Sequence, residues 1–261
     1  MAFESFRKKY DQLMSDKRPL GETDPEFVDM FSRFAYDEVV SDPDANHPDL
    51  DDRTRSMAIL AALLGCQGLD EYRLMLPAAL RTGVTPVEVR EIVYQATAYL
   101  GIGRVMGFLN ATNDVFLERR IPLPLEPQGT VDADTRMEAG EREQMAIFGE
   151  HMRGFAETGP AATRHIRRWL VGNCFGDYYT RGGLDVRRRE MITLCFLAAQ
   201  GGCEPQLTAH VKANVNVGNE RTFLIAVISQ IMPYIGYPRT LNALDCVDRA
   251  CAGTDADGNG E

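Results

Sequence analysis

The stretch "GGCEPQLTAHVKANVNVGN", Gly201 to Asn219, places a thiol, an amide and an imidazole (Cys203, Gln206 and His210) close together along the chain. Seven residues is close to two turns of α-helix, so Cys203 and His210 are expected on one side with Gln206 between them. Pro205 favours a first helical turn, which puts Cys203 at a helix N-terminus. Unpaired N–H groups and the helix dipole there favour a thiolate. A histidine two turns along could exchange a proton with a ligand held over that face. Two chemistries fit these residue types. In one, His210 carries a proton to or from a bound ligand. In the other, Cys203 acts as the nucleophile and His210 helps to deprotonate it. The third possibility is that both residues only pack or bind.

The elements that must position these groups read as helices. Asp185 to Gln200 carries Met191, Leu194, Cys195, Leu197 and Ala198 at helical spacing, and Gly201-Gly202 stops it. Cys203 to Val217 follows, with Gly218 just past its end. Asn219 is expected to cap a third helix that Pro233 closes, and Pro238 to open a fourth ended by Gly253. Nowhere does a segment alternate with period two between turn signals, so the fold is expected to be all-α.

The chain also repeats itself. "DDRTRSMAIL" (Asp51–Leu60) aligns with "DVRRREMITL" (Asp185–Leu194), and "YLGIGRVMGFLNA" (Tyr99–Ala111) with "YIGYPRTLNALDC" (Tyr234–Cys246). Gln95 and Gln230, Gly83 and Gly218, and Arg104 and Arg239 fall into register. Between the copies lies "RRIPLPLEPQGTVDADTRME", rich in proline and acids. The expected division is a first unit at 1–120, a linker at 121–138, a second unit at 139–253 and a disordered acidic tail at 254–261. That tail, "DADGNGE", imitates the opening of an EF-hand loop but lacks the closing glutamate.

Composition narrows the partners. The 261 residues are 44% hydrophobic and 25% charged, with a net charge of −10, which argues against nucleic-acid or anionic-membrane surfaces. No apolar run is long enough to span a membrane, and the start lacks the apolar core of a signal peptide. Six cysteines without a C-x-x-C pair suggest mostly buried, reduced thiols in the cytoplasm, and no cluster has metal-ligand spacing. Neither a metal nor any other cofactor is expected. His47, in a polar loop, is expected to face solvent.

"FGDYYTRGGLDVRRREMITLCFLAAQGGCEPQLTAHVKANVNVGN" with "PYIGYPRTLNAL" resembles the carboxymuconolactone decarboxylase family, closely over Phe175–Leu244 and more loosely over Asp51–Ala111. The resemblance implies an all-helical, alkylhydroperoxidase-like fold in two tandem units, assembled as a homotrimer that imitates a hexamer. It implies a helix-head glutamate at Glu190 and a histidine at His210, with Glu190 orienting His210 as a catalytic pair. Ser56 and Met75 stand at the matching positions of the first unit, which therefore reads as degenerate. Cys203 matches the first thiol of the alkylhydroperoxidase members, but Gln206 occupies the second thiol position. Cofactor-free turnover of a small carboxylate, lactone or keto acid is thus the leading expectation, as a decarboxylase-type lyase. Peroxiredoxin-type reduction of a hydroperoxide by Cys203 is the alternative, needing Cys195, Cys174, another subunit or a small thiol to resolve it. A non-catalytic ligand-binding module is the third. Gln206, Gln230, Tyr234 and Arg239 are candidates to bind the substrate. Arg239, or one of Arg187, Arg188 and Arg189, would clamp a substrate carboxylate.

Overall fold

The computed structural model describes Leu20–Ala252. The opening stretch, expected to carry no signal peptide, and the acidic tail, expected to be disordered, lie outside the described residues. Among the described residues there is no strand, and the chain is all-α.

After α1 (Pro25–Arg33) the chain winds through a π-turn, Phe34–Glu38, before α2 (Asp52–Gly65), α3 (Leu69–Arg81), α4 (Pro86–Leu100) and α5 (Ile102–Glu118). The second half follows with α6 (Arg136–Phe148), α7 (Arg164–Trp169), a π-helical segment at Leu170–Tyr179, and then α8 (Val186–Gln200), α9 (Glu204–Asn216), α10 (Arg221–Ile235) and α11 (Tyr237–Cys251). Helices α2 to α5 and α8 to α11 are the two copies. Arg136 already begins α6, so the last residues of the expected linker are helical.

The two copies share one core. Helices α2 and α8 are its centre, and each opens on an aspartate, Asp51 or Asp185, that accepts a hydrogen bond from the backbone N–H three residues on. Both are then buried all round, from Ser56 to Gly65 and from Arg189 to Ala199, as a helix without a polar face must be. They pack against each other. A Cβ at Gly65 would lie 2.7 Å from both the Ala199 Cβ and the Phe196 carbonyl oxygen, so only glycine permits this approach. The contiguous core draws on both copies, from Met57, Leu60 and Phe116 to Phe196, Leu224 and Val247.

Two expected helix boundaries differ. Pro233 lies inside α10, which runs on to Ile235 and stops at Gly236, whose φ of 79° an L side chain rarely adopts. A proline in a last turn forfeits one N–H bond, which is a smaller obstacle than that glycine's left-handed backbone. Asn219 does not cap α10, whose N-cap residue is Glu220. Its side chain is drawn instead to the Arg187 carbonyl and the Asn214 amide, where it ties the loop to α8 and α9. His47 is half-buried rather than solvated, because its ring packs edge-on against Phe223 at 5.5 Å.

Candidate active site

Helices α8 and α9 are consecutive and antiparallel, which brings the head of α8 beside the middle of α9. Glu190 and His210 meet there. His210 Nδ1 lies 2.8 Å from Glu190 Oε2, with the glutamate fully buried and the histidine 8% exposed. Asn214, one turn beyond His210, donates to the backbone carbonyls of both Glu190 and His210 and locks the two helices in this register. An imidazole whose Nδ1 is held by a carboxylate has its tautomer and ring plane fixed. His210 Nε2 has no hydrogen-bond partner among the described residues and is the nitrogen left to meet a ligand.

The other carboxylate oxygen is equally engaged. Tyr179, at the end of the π-helical segment, donates to Glu190 Oε1 at 2.7 Å. Its hydroxyl also lies 2.8 Å from the Tyr99 hydroxyl and 3.1 Å from Thr193 Oγ1. A carboxylate accepts only, so Tyr179 spends its single proton on Glu190 and receives one from Tyr99. Burial pushes both phenols well above the usual tyrosine range, which keeps them protonated donors. The Cys174 thiol donates in turn to Tyr99 at 3.8 Å and is itself pushed up to about 12 by burial. Tyr179 reaches this position because its segment lies directly on α6. A Cβ on Gly140 of α6 would sit 2.1 Å from the Val171 carbonyl oxygen, closer than any side chain allows.

The box around the imidazole is aromatic. Tyr99 and Phe148 stand edge-on to His210 at 5.4 and 5.3 Å, and Phe175 fills the gap between Phe148 and Tyr179. Tyr99 belongs to α4, so the first unit supplies a wall of the site. It supplies a second support through Gln95, which donates to Thr193 Oγ1 and the Arg189 carbonyl and accepts from Arg189 NH1. Arg189 is buried and continues to Glu91, which also holds Arg181 through both carboxylate oxygens. This network is satisfied on nearly every atom, as a buried ionic cluster must be if it is not to destabilise.

The remaining expected site residues are dispersed. Cys203 is the N-cap of α9, about 10 Å of helix axis from His210. Its thiol faces the last turn of α8, donating to the Leu197 carbonyl and accepting from Gln200. Burial pushes that thiol up rather than down, so the helix-start position does not favour a thiolate here. Gln206 is exposed. Gln230 donates to the Val39 and Ala45 carbonyls and accepts from Arg55, while Tyr234 meets Tyr36 and Phe31. Both lie at the first unit's equivalent position, around Met75 and Tyr36, not at His210. Arg239 passes beside Gly201 and has no ion pair among the described residues. Arg187 reaches Asn219 and Asp49, and Arg188 pairs with Asp185. Sequence reasoning missed Tyr99, Tyr179, Phe148, Thr193 and Asn214. Only Tyr99 carried a signal, since it recurs as Tyr234. None of the six cysteines is joined in a disulfide among the described residues, and four of them are buried. No three His, Cys, Asp or Glu side chains gather as a metal site among the described residues, and no described helix is long and apolar enough to cross a membrane.

The comparisons with known proteins agree with this architecture. The model of the carboxymuconolactone decarboxylase family matches twice, over residues 25–114 and 165–249. The 4-carboxymuconolactone decarboxylase of Acinetobacter baylyi is 32% identical over 97 residues, which are 37% of this chain and 69% of that protein. A solved structure from Burkholderia xenovorans LB400, assigned as a gamma-carboxymuconolactone decarboxylase subunit, superposes with a TM-score of 0.54. It is 20% identical, over 96% of this chain and 98% of that one, a likeness of fold. The chain belongs to the carboxymuconolactone decarboxylase family, as a tandem member with two copies of the family's helical unit.

Proposed function

We propose that this protein is a cofactor-free acid–base enzyme of decarboxylase type, acting on a small carboxylate that carries a lactone or keto group. His210 is the proton carrier and Glu190 orients it. The observation that carries the reading is the 2.8 Å contact between Glu190 and His210 Nδ1 inside an aromatic box, with Nε2 left free. In the reaction, the C–CO2⁻ bond breaks and its electron pair passes into the conjugated carbonyl as an enolate. His210 Nε2 then delivers a proton to carbon, and the Glu190 carboxylate offsets the imidazolium charge before that transfer. Carbon dioxide release from 4-carboxymuconolactone and from simple β-keto acids tests this, wild type beside His210→Ala. Release that is the same in the two proteins would refute the role of His210.

The thiol-peroxidase reading has one observation in its favour. Cys246 acts on the Cys203 thiol electrostatically, the last of the causes that raise it, which puts a second thiol in its neighbourhood. Against it stands the raised Cys203 thiol, which keeps the nucleophilic thiolate scarce at neutral pH. Intact mass after brief exposure to an organic hydroperoxide separates the two, since only the peroxidase reading expects oxidation that disappears in Cys203→Ser.

The assembly we propose is a cytoplasmic homotrimer that imitates a hexamer. Its support is a pair of matching apolar patches, one per copy. Ile102 and Met106 are exposed on α5, and Tyr237 and Leu241 are exposed at the equivalent positions of α11. Sedimentation equilibrium should return three chains per particle, and a monomer would contradict the proposal.

A further inference from the structure

A second cleft lies away from His210, on the outer side of α4. It has a volume of about 390 Å³ and is closed by α5, the connecting segment Leu123–Gln128 and Arg181. That is the size of a small-ligand pocket. Val87, Leu123, Pro124 and Leu125 give it apolar walls, and Tyr94 gives it an aromatic one.

Its charges do not balance. Arg90 lines the cleft and has no carboxylate partner among the described residues. One NH2 donates to Asn113 Oδ1 at 2.7 Å, and the guanidinium lies 5.7 and 5.6 Å from the Tyr94 and Phe116 ring centres. Its Nε is buried with no hydrogen-bond partner. Arg181 lines the same cleft and reaches Glu91, but Glu91 is shared with the buried Arg189. On the cleft lining, the buried Glu91 is paired with Arg181 and shared with Arg189 behind it, which leaves Arg90 without a carboxylate. The only other carboxylate on the lining is Glu126, which is exposed at the rim and screened by water. Such local excess of positive charge is unusual in a chain of net charge −10.

We propose that this cleft binds a small organic carboxylate, with its carboxylate between Arg90 and Arg181 and its hydrocarbon or aryl body against Tyr94, Leu123 and Leu125. Guanidinium groups suit a carboxylate through paired N–H donors. The apolar walls favour an organic acid over inorganic phosphate, which has no body to bury. Glu91 and Arg181 also belong to the network behind Glu190, but the carboxylate site uses neither His210 nor Glu190, so it stands or falls apart from the decarboxylase reading.

Fluorine NMR titration of the full chain with 4-fluorobenzoate tests it, with neutral 4-fluorobenzamide and inorganic phosphate as controls. Wild type and His210→Ala should bind 4-fluorobenzoate equally, at millimolar concentration or tighter. Arg90→Gln should weaken binding at least about tenfold, the loss of one charge-assisted contact. Asn113→Asp should do the same with the fold kept, because the new carboxylate satisfies Arg90 from within. The benzamide should not bind, and phosphate should compete poorly. Equal binding by wild type and both cleft variants would overturn the proposal, as would no binding to wild type or equal binding of the benzamide. Binding lost in His210→Ala but kept in Arg90→Gln would also overturn it, and would assign the acid to the His210 pocket.

Discussion

Glu190 and His210 stand in α8 and α9 where Ser56 and Met75 stand in α2 and α3, and the surroundings of the two pairs match. At the first pair, Gln95 of the opposite copy accepts from Arg189, and Tyr99 of that copy meets Tyr179. At the second pair, Gln230 of the opposite copy accepts from Arg55, and Tyr234 meets Tyr36. In each case a helix-head arginine is tied to a glutamine, and a π-segment tyrosine to a helical one. The contents differ. Tyr179 donates to a glutamate that holds a histidine, whereas Tyr36 donates to the Met75 sulfur, and Ser56 turns to Thr82 and the Asp52 carbonyl. The glutamine–arginine and tyrosine–tyrosine pairs are therefore the frame that closes two copies around one core. The glutamate–histidine pair is present at one of the two positions and is not needed for that frame. Each copy props the other's pocket, so the copy without the pair is still part of the site.

The largest break in this comparison should come from His210→Ala, which makes the two pockets alike in lacking an imidazole. Loss of a general acid–base group should lower turnover about 10²- to 10⁴-fold with little change in melting temperature. Glu190→Gln keeps the shape but removes the charge that holds Nδ1. It should cost about 10- to 100-fold, the worth of one charge-assisted hydrogen bond. Tyr99→Phe tests the contribution of the first unit. It removes the donor to Tyr179, and should slow turnover a few-fold and destabilise by about 1 kcal/mol, read from steady-state rates and urea unfolding. Gln230→Ala acts on the other frame. It removes the donor to the buried Val39 carbonyl and the half-buried Ala45 carbonyl and should destabilise by about 1–3 kcal/mol while leaving turnover per folded molecule unchanged. Cys203→Ser should have the smallest effect of all. Its raised thiol means that alkylation by iodoacetamide should be slow at pH 8 and accelerate only above the ordinary thiol range, because the thiolate appears later than in a free cysteine.

Much of the frame was legible in the sequence because it repeats. The order of helices and the matched Gln95/Gln230 and Arg104/Arg239 positions follow from spacing and self-similarity, whereas the aspartate N-caps of α2 and α8 were not expected. The Glu190–His210 contact came from the resemblance rather than from spacing, since twenty residues and a turn separate the two. Contacts between copies were not legible. Nothing local to Tyr99 says that it will reach Tyr179, and nothing local to Phe148 says that it will stand against His210. The repeat also misled, because it aligned Gln230 and Tyr234 with the copy that carries His210. The copies pack with α2 and α8 head beside head and end beside end, which hands each copy's glutamine and tyrosine to the other, so the residues beside His210 are Gln95 and Tyr99. Helical spacing misled in the same way for Cys203. Two turns place it on the same side as His210, but α8 runs antiparallel, so one meets its end and the other its head.

The most direct test of the account is the rate of carbon dioxide release from 4-carboxymuconolactone by metal-free protein, comparing wild type, His210→Ala and Met75→Ala. Release by wild type and Met75→Ala at similar rates, with His210→Ala slower by at least about a hundredfold, is the result expected if chemistry resides at one of two matched pockets. Equal release by all three proteins would contradict the role given to the Glu190–His210 pair.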